Sequence, residues 1–468
     1  MYREQIDAWI DSKQDEMIAD LMSLIRIDSQ KGEAAPGKPF GEGPAQVLDA
    51  AMEMMARYGL KVTDYDHYVV TGDYGTGEKE LDILAHLDVV PVSKDWTVTE
   101  PFEPVIRDGR VYGRGSIDDK GPAVAALYAI RAVKELGIPL GKSLRLILGS
   151  DEECGSSDLD HYYAIEKEAP STFTPDASFP LINLEKARLA KKFSCECAGE
   201  EALSPRVVSF TAGSKVNVVP TTAEAVFAGL DEQVLQEAAK KAGCCAEVSF
   251  TVTAKADGVH VFAKGQAAHA STPQLGRNAI TAMLALIGSL ELADCASARA
   301  LKGLARLYPC CDTCGEALGV KMSDETSGAL TMNLGILNLE DGILCGEFDV
   351  RAPLCATDGN LTEVLREQFA GIGMTMEEGK MTPAHYVPAD SALVKTLLDS
   401  YEKYFGVRGE PLAIGGGTYV HDLERGVAFG VEVEGIDNHM HGDDEFIDID
   451  ILVRSAKIFA DAIVNICG

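Results

Sequence analysis

SIDDKGPAVAALYAIRAVKELGIPLGKSLRLILGSDEE, residues 116–153, decides the fold. Two aspartates and a lysine open a run, AVAALYAIRAV, that is apolar on almost every side. That is the pattern of a helix packed inside an α/β layer. Gly137 and Pro139 stop it. SLRLILGS (143–150) then reads as a buried strand that ends on Asp151, Glu152 and Glu153. Upstream, LDILAH (81–86) is another buried strand, ending on His86 with Asp88 just beyond it. Strand, helix, strand in this rhythm predicts a βαβ sheet. In such sheets ligands bind beyond the carboxyl ends of the strands, which is where these acids fall. TPDASFP (174–180) and HMHGDDE (439–445) add two more groups of the same kind. Crowded carboxylates raise one another's pKa unless a cation sits among them. A pair of divalent metal ions is the simplest cation that fits, so the chain reads as a two-metal hydrolase.

Around this centre, apolar positions at helical spacing (Ile6, Trp9, Ile10, Met17, Leu21, Ile25) predict one or two amphipathic helices over about 3–25. A further helix is expected from Pro44 to Tyr58, closed by Gly59. After about residue 187 the pattern changes. RVVSFTA, TTAEAVFAG, EVSFTVTAKADGVHVFAKG and ALTMNLGILNLEDGILCGEFDVR alternate, and Asp257-Gly258 and Asp341-Gly342 suit hairpin turns. Helices at about 231–243, 278–292 and 359–371 are interspersed, which suggests one or two α+β layers. His441 lies far along the chain from the early acids, and an inserted middle domain accounts for that order. The expected division is a discontinuous α/β catalytic domain (1–186 and 383–468, a mixed sheet between helices) with an inserted α+β lid domain (187–382).

At 468 residues the chain is too long for one core. Its net charge of −31 repels nucleic acid and anionic lipid, and no basic cluster offsets it. The N-terminal MYREQIDAWIDSKQDEM lacks the apolar core of a signal peptide, and no run is long enough to span a bilayer. Cys310, Cys311 and Cys314 have no second Cys/His pair at zinc-site spacing and read as reduced loop thiols. The cytoplasm is the expected compartment.

HLDVVP, GRGSIDDKG, SDEE, PDA and a late His-x-x-x-Glu, in this order, resemble the dinuclear-zinc metallopeptidase family, which includes acetylornithine deacetylase and succinyl-diaminopimelate desuccinylase. The peptidase V-type dipeptidases are the nearest branch, through FTPDASFP, GSKVNVVP, GQAAHAST, FDVRAP and IGGGTY. The resemblance runs nearly end to end and implies a zinc-exopeptidase-like catalytic domain. It implies that Asp118 bridges two Zn(2+) ions, with Mn(2+) or Co(2+) as substitutes. His86 and Asp176 would complete one metal, and Glu153 with His441 the other. His441 is preferred to His439 because Glu445 stands four residues later, although GDD replaces the family's usual middle. Asp88 would orient the His86 imidazole, Glu152 would be the general base, and the Asp118–Asp119 peptide would be cis. From the lid, His269 would donate to the developing oxyanion. Arg351, helped by Asn217, would grip the substrate's C-terminal carboxylate, and Gly415 and Gly416 would let backbone amides approach it.

Charge supports this ligand set independently. Two divalent ions against Asp118, Glu153, Asp176 and a bridging hydroxide sum to zero, which leaves Glu152 free to exchange a proton. The expected activity is hydrolysis of dipeptides with a free C-terminus. A deacylase of N-acyl amino acids built on the same metals stays open as the alternative. The partners expected are small peptides, with neither nucleic acid nor membrane. Many relatives have a shorter lid that dimerises; the long lid here implies a monomer with His269 acting in cis.

Overall fold

The structure, a computed structural model, describes residues 2–468 apart from the side chains of 244–246. It divides into two compact units. The first comprises the chain through Leu184, His385–Leu412 and Gly417–Gly468; the second comprises Glu185–Ala384 and Ala413–Gly416. The sequence reading draws its borders at 186/187 and 382/383. The short return of Ala413–Gly416 to the second unit has no counterpart in it, because a glycine-rich turn carries no periodicity.

The first unit is built on a mixed sheet in the order Lys61–Tyr65, Val69–Tyr74, Ser143–Gly149, Lys79–His86, Ser171–Thr174, Gly426–Ala428, Ile182–Glu185, His385–Tyr386. Four neighbours in the middle, Ser143–Gly149 through Gly426–Ala428, are parallel. Their carboxyl ends therefore share one edge. Lys79–His86 is wholly buried from Leu81 onward, as a strand covered on both faces must be. Helix Lys120–Glu135 is buried from Lys120 to Val133 and packs against Ile449–Cys467, Gln14–Ile25 and Arg3–Ser12. Its surroundings explain the all-round apolar sequence. The N-terminal pattern resolves into two helices, and the next helix starts at Glu42 rather than Pro44.

The second unit is built on an antiparallel sheet of eight strands in the order Ser249–Lys255, Gly258–Lys264, Thr222–Ala228, Arg206–Ala212, Thr331–Glu340, Ile343–Ala352, Ala187–Glu196, Thr375–Met376. Asp341 and Gly342 both take positive φ, 49° and 72°, at the tip of the Thr331–Glu340/Ile343–Ala352 hairpin, the conformation a two-residue turn requires. Helix Ala279–Gly288 is shorter than the 278–292 pattern, and a further helix, Ala296–Leu307, follows it. Gly303 conceals that helix in the sequence. A Cβ there would meet Ile372 Cβ at 2.7 Å, so close packing rather than chain breaking explains the glycine. Among the described residues no helix is long and apolar enough to cross a membrane.

Candidate metal centre

Each of the parallel strands delivers functional groups just past its carboxyl end. Lys79–His86 ends on His86, Ser143–Gly149 leads to Glu152 and Glu153, and Ser171–Thr174 leads to Asp176. Asp118 stands two residues before helix Lys120–Glu135. The turn before it is closed by Ser116 N donating to Gly113 O at 3.1 Å. His441 lies in the loop that precedes strand Phe446–Asp448.

These residues converge. Asp118 Oδ1 lies 2.9 Å from His86 Nε2, and Asp118 Oδ2 lies 2.7 Å from His441 Nε2. One carboxylate thus presents an oxygen to each imidazole. Asp176 Oδ2 is 3.5 Å from His86 Nε2, and Glu153 Oε1 is 3.2 Å from His441 Nε2. Despite that approach, Glu153 Oε1 is buried without a hydrogen bond. Its poor alignment suits two donors aimed at a common point between them. Ligand atoms of His86, Asp118 and Glu153 fall within 4.8 Å of one another, and so do those of His86, Glu152 and Asp176. Glu152 therefore stands inside the ring of donors. The donor set is nitrogen and carboxylate oxygen, which suits zinc and its divalent neighbours.

Electrostatics point the same way. Burial raises the Glu152 pKa well above the usual carboxylate range, and repulsion from Asp176, Glu153 and Asp118 adds to it against the pull of His86. Burial and then Asp118 push Glu153 up to about 7, and Asp176 is raised for the same two reasons. The adjacent carboxylates of Asp118 and then Glu153 push His441 up to about 11. Burial also works to raise Asp118, but the two imidazoles outweigh it and its pKa is lowered. The cluster gathers positive charge from every group able to carry it, as a cation-binding ring must.

Asp88 does more than orient a ring. His86 Nδ1 lies 3.1 Å from the Asp88 backbone oxygen and 3.4 Å from Oδ1. The carboxylate meanwhile accepts from Glu152 N at 3.2 Å and Glu153 N at 3.1 Å. One residue thus holds the imidazole and the turn bearing the two glutamates. The Asp118–Asp119 peptide is cis. Asp119 occupies the N-cap position but makes no side-chain cap; its Oδ2 instead accepts from His86 N at 3.1 Å. His439 turns away, with Nδ1 3.0 Å from Asp443 O and its ring on Phe446.

The residues expected from the lid form a group within the second unit. Val218 and His269 pair as a β-bridge, and Ala270 N donates to Asn217 O at 2.9 Å. Nδ1 of His269 accepts from Ser271 N at 3.1 Å. A backbone N–H can only donate, so the neutral ring carries its proton on Nε2. Arg351 is buried and already forked onto Asp349, through Nε at 2.6 Å and one terminal nitrogen at 3.0 Å. Its other terminal nitrogen donates to Gly415 O. Of five guanidinium hydrogens, one on each terminal nitrogen remains. A Cβ on Gly415 would meet Ser271 Cβ at 2.6 Å, whereas Gly416 has no such neighbour within 3.4 Å. Only Gly415 is required by close approach.

Three residues at the centre, Arg114, Tyr419 and Glu432, are given no role by the sequence reading. Arg114 and Glu445 form a buried ion pair. Tyr419, in the glycine segment, donates to Asp158 Oδ2 at 2.5 Å, and that oxygen also accepts from Ser150 N at 2.6 Å. Glu432 lies beside Ser178. The signals were present as a charged residue between two glycines, a tyrosine after a glycine run and an acid in an apolar strand, but nothing local to them names a partner.

Imidazoles and carboxylates ringed at the edge of a parallel sheet define a metal-dependent hydrolase. More narrowly, the chain belongs to Peptidase family M20/M25/M40, whose model matches residues 83–465. It is 35% identical over 460 residues to the putative dipeptidase YtjP of Bacillus subtilis (strain 168), covering 97% of this chain and 98% of that one. It is 32% identical over 463 residues to the Beta-Ala-Xaa dipeptidase of Lactobacillus delbrueckii subsp. lactis, covering 97% of each. Among solved structures the fold is similar to that of human carnosine dipeptidase 1, with a TM-score of 0.61 at 15% identity, covering 100% of this chain and 99% of that one. The chain is therefore a metal-dependent peptidase.

Proposed function

We propose that this peptidase is a dipeptidase working with two divalent ions, zinc first among them, on short peptides with a free C-terminus. The observation that carries the metal pair is Asp118 offering one oxygen to each of His86 and His441. The dipeptide reading is supported by relatives named dipeptidases that match it along nearly their full lengths. His86, Asp118 and Asp176 would hold one ion, and Asp118, Glu153 and His441 the other. Bound there, the ions supply Lewis acidity and a water ionised near neutral pH.

The chain's own residues do the rest. Glu152, raised in pKa, takes a proton from the attacking water and passes it to the leaving amine. Asp88 keeps Glu152 and His86 in place. His269, with its proton on Nε2, donates to the oxyanion. Arg351 uses its two remaining hydrogens for the substrate carboxylate, with Asn217 and the Gly415–Gly416 backbone beside it. We infer a monomer acting in the cytoplasm; eight described cysteines, the exposed Cys154, Cys345 and Cys355 among them, are thiols, as a reducing compartment maintains.

A deacylase of N-acyl amino acids would use the same ions. Turnover of an unblocked dipeptide and of its N-acetyl form by the zinc-loaded protein separates the two. The dipeptide is the expected substrate, and exclusive cleavage of the acetyl bond would overturn the reading.

A further inference from the structure

The fourth parallel strand, Gly426–Ala428, also delivers an acid to the shared edge, and the proposed metal ligands leave that acid unused. Ala428 pairs with Thr174, and just beyond it Val431–Glu432 pairs in parallel with Ala177–Ser178. Phe179 N donates to Glu432 O at 2.8 Å, which fixes the backbone directly after Asp176. The Glu432 carboxylate is half-buried. Its single hydrogen bond among the described residues is from Ser178 Oγ to Oε2, at 2.8 Å. No lysine or arginine there pairs with it. The charged groups that act on it most are Asp176, Asp118 and His441, all of the proposed metal ring.

A half-buried carboxylate without a cation is costly unless a ligand brings one. The two ions, their three carboxylates and an ionised water sum to zero, so the ring itself has no charge left to attract a cation. An unblocked dipeptide brings one. Its ammonium nitrogen is two bonds from the scissile carbonyl carbon, or three in a β-alanyl peptide, so it must sit beside the ring whenever that carbonyl is attacked. We propose that Glu432 receives the amino-terminal ammonium of the substrate and so selects unblocked dipeptides over N-acyl amino acids. Oε2 is steadied by Ser178 and Oε1 remains for the ammonium. An N-acyl group in the same place would leave the carboxylate unpaired, which rejects it. This inference rests on the dipeptidase reading.

The test compares L-alanyl-L-alanine with N-propionyl-L-alanine, which has the same skeleton without the amine, on the zinc-loaded protein. Glu432→Gln is expected to lower the ratio of the two kcat/KM values by about 30-fold or more, chiefly through KM for the dipeptide. A structural role would lower both together. Glu432→Asp, which withdraws the carboxylate by one methylene, is expected to shift preference from alanyl-alanine towards the longer β-alanyl-L-alanine. Bound zinc, measured for each variant, confirms an intact centre. An unchanged ratio in Glu432→Gln together with an unchanged preference in Glu432→Asp overturns the assignment. Wild-type protein that cleaves no dipeptide would sink the dipeptidase reading and this inference with it, whereas an active wild type with an unchanged ratio sinks the inference alone.

Discussion

Arg114 and Glu445, 331 residues apart, form a buried ion pair that fastens the loop of Asp118 to the loop of His441. Arg114 also donates to Gly442 O at 3.0 Å, and Glu445 Oε1 accepts from Ile117 N at 3.1 Å. The contacts fall next to Asp118 on one side and next to His441 on the other. The glutamate of His-x-x-x-Glu therefore serves as an anchor rather than a ligand. Removing one partner strands a buried charge, at a cost of about 3–5 kcal/mol. Arg114→Met and Glu445→Gln are each expected to destabilise the protein by that order in denaturant unfolding and to lower kcat as His441 loosens. The double variant should cost less than the sum. A wild-type unfolding midpoint in either single variant would deny the pair any structural weight.

Glu152 stands among the metal donors, yet the proton-transfer role needs only its carboxylate. Glu152→Gln preserves shape and one oxygen, so it is expected to retain both metals while turnover falls by about three orders of magnitude or more. Metal analysis beside steady-state kinetics decides this. Loss of one metal equivalent would make Glu152 a ligand, and near-normal turnover would move the base elsewhere.

The sequence carried the parts of this fold that obey a period. The buried run after Lys120 and the strands ending at His86 and Gly149 are legible because burial on all sides leaves no polar face. His86, Asp118, Glu152, Glu153 and Asp176 could be read as a group because each stands at one end of an apolar segment. Long-range partnership is a different kind of information. Nothing near Arg114 in the chain points to Glu445, and nothing near Gly149 explains why a Cβ there would strike the Tyr419 hydroxyl at 2.1 Å. Arg351 shows a subtler limit. A role at a substrate carboxylate is expected of it by resemblance, but nothing in that resemblance announces that Asp349, two residues away on the same strand, takes up its first fork.

Asp82 is a buried carboxylate away from the metal ring. Oδ2 accepts from Ala169 N at 3.0 Å and lies 3.4 Å from Lys79 Nζ, while Oδ1 is buried without a hydrogen bond. Burial, only partly opposed by Lys79, pushes its pKa up to about 6. A carboxyl whose folded pKa is raised stabilises the fold below its unfolded value near 3.8 and loses that contribution as pH climbs through 6. Asp82→Asn keeps the acceptor for Ala169 N and removes the charge. It is expected to raise stability by about 1–2 kcal/mol at pH 8, with the gain vanishing near pH 4. Thermal melts across that range check it, and a gain largest in acid would reverse the argument.

Metal removal should expose the conflict among the ring's own charges, with a definite pH dependence. Glu153, raised from 4.5 to about 7, favours the fold below pH 4.5 and ceases to do so as pH rises through 7. His441, raised from 6.5 to about 11, likewise gives its contribution below 6.5 and sheds it on the way to 11. Asp118 acts oppositely, since its lowered pKa stabilises above 3.8 and is lost only in acid. Between pH 5 and 8 the first two govern, so the metal-free protein weakens as pH rises. Divalent ions replace those protons and should gain most where the protons are scarce. A chelator is expected to lower the melting temperature at every pH in this window, and by more at pH 8 than at pH 5.5. Equal drops at the two pH values, or none at pH 8, would mean that these carboxylates and imidazoles do not share a common cation.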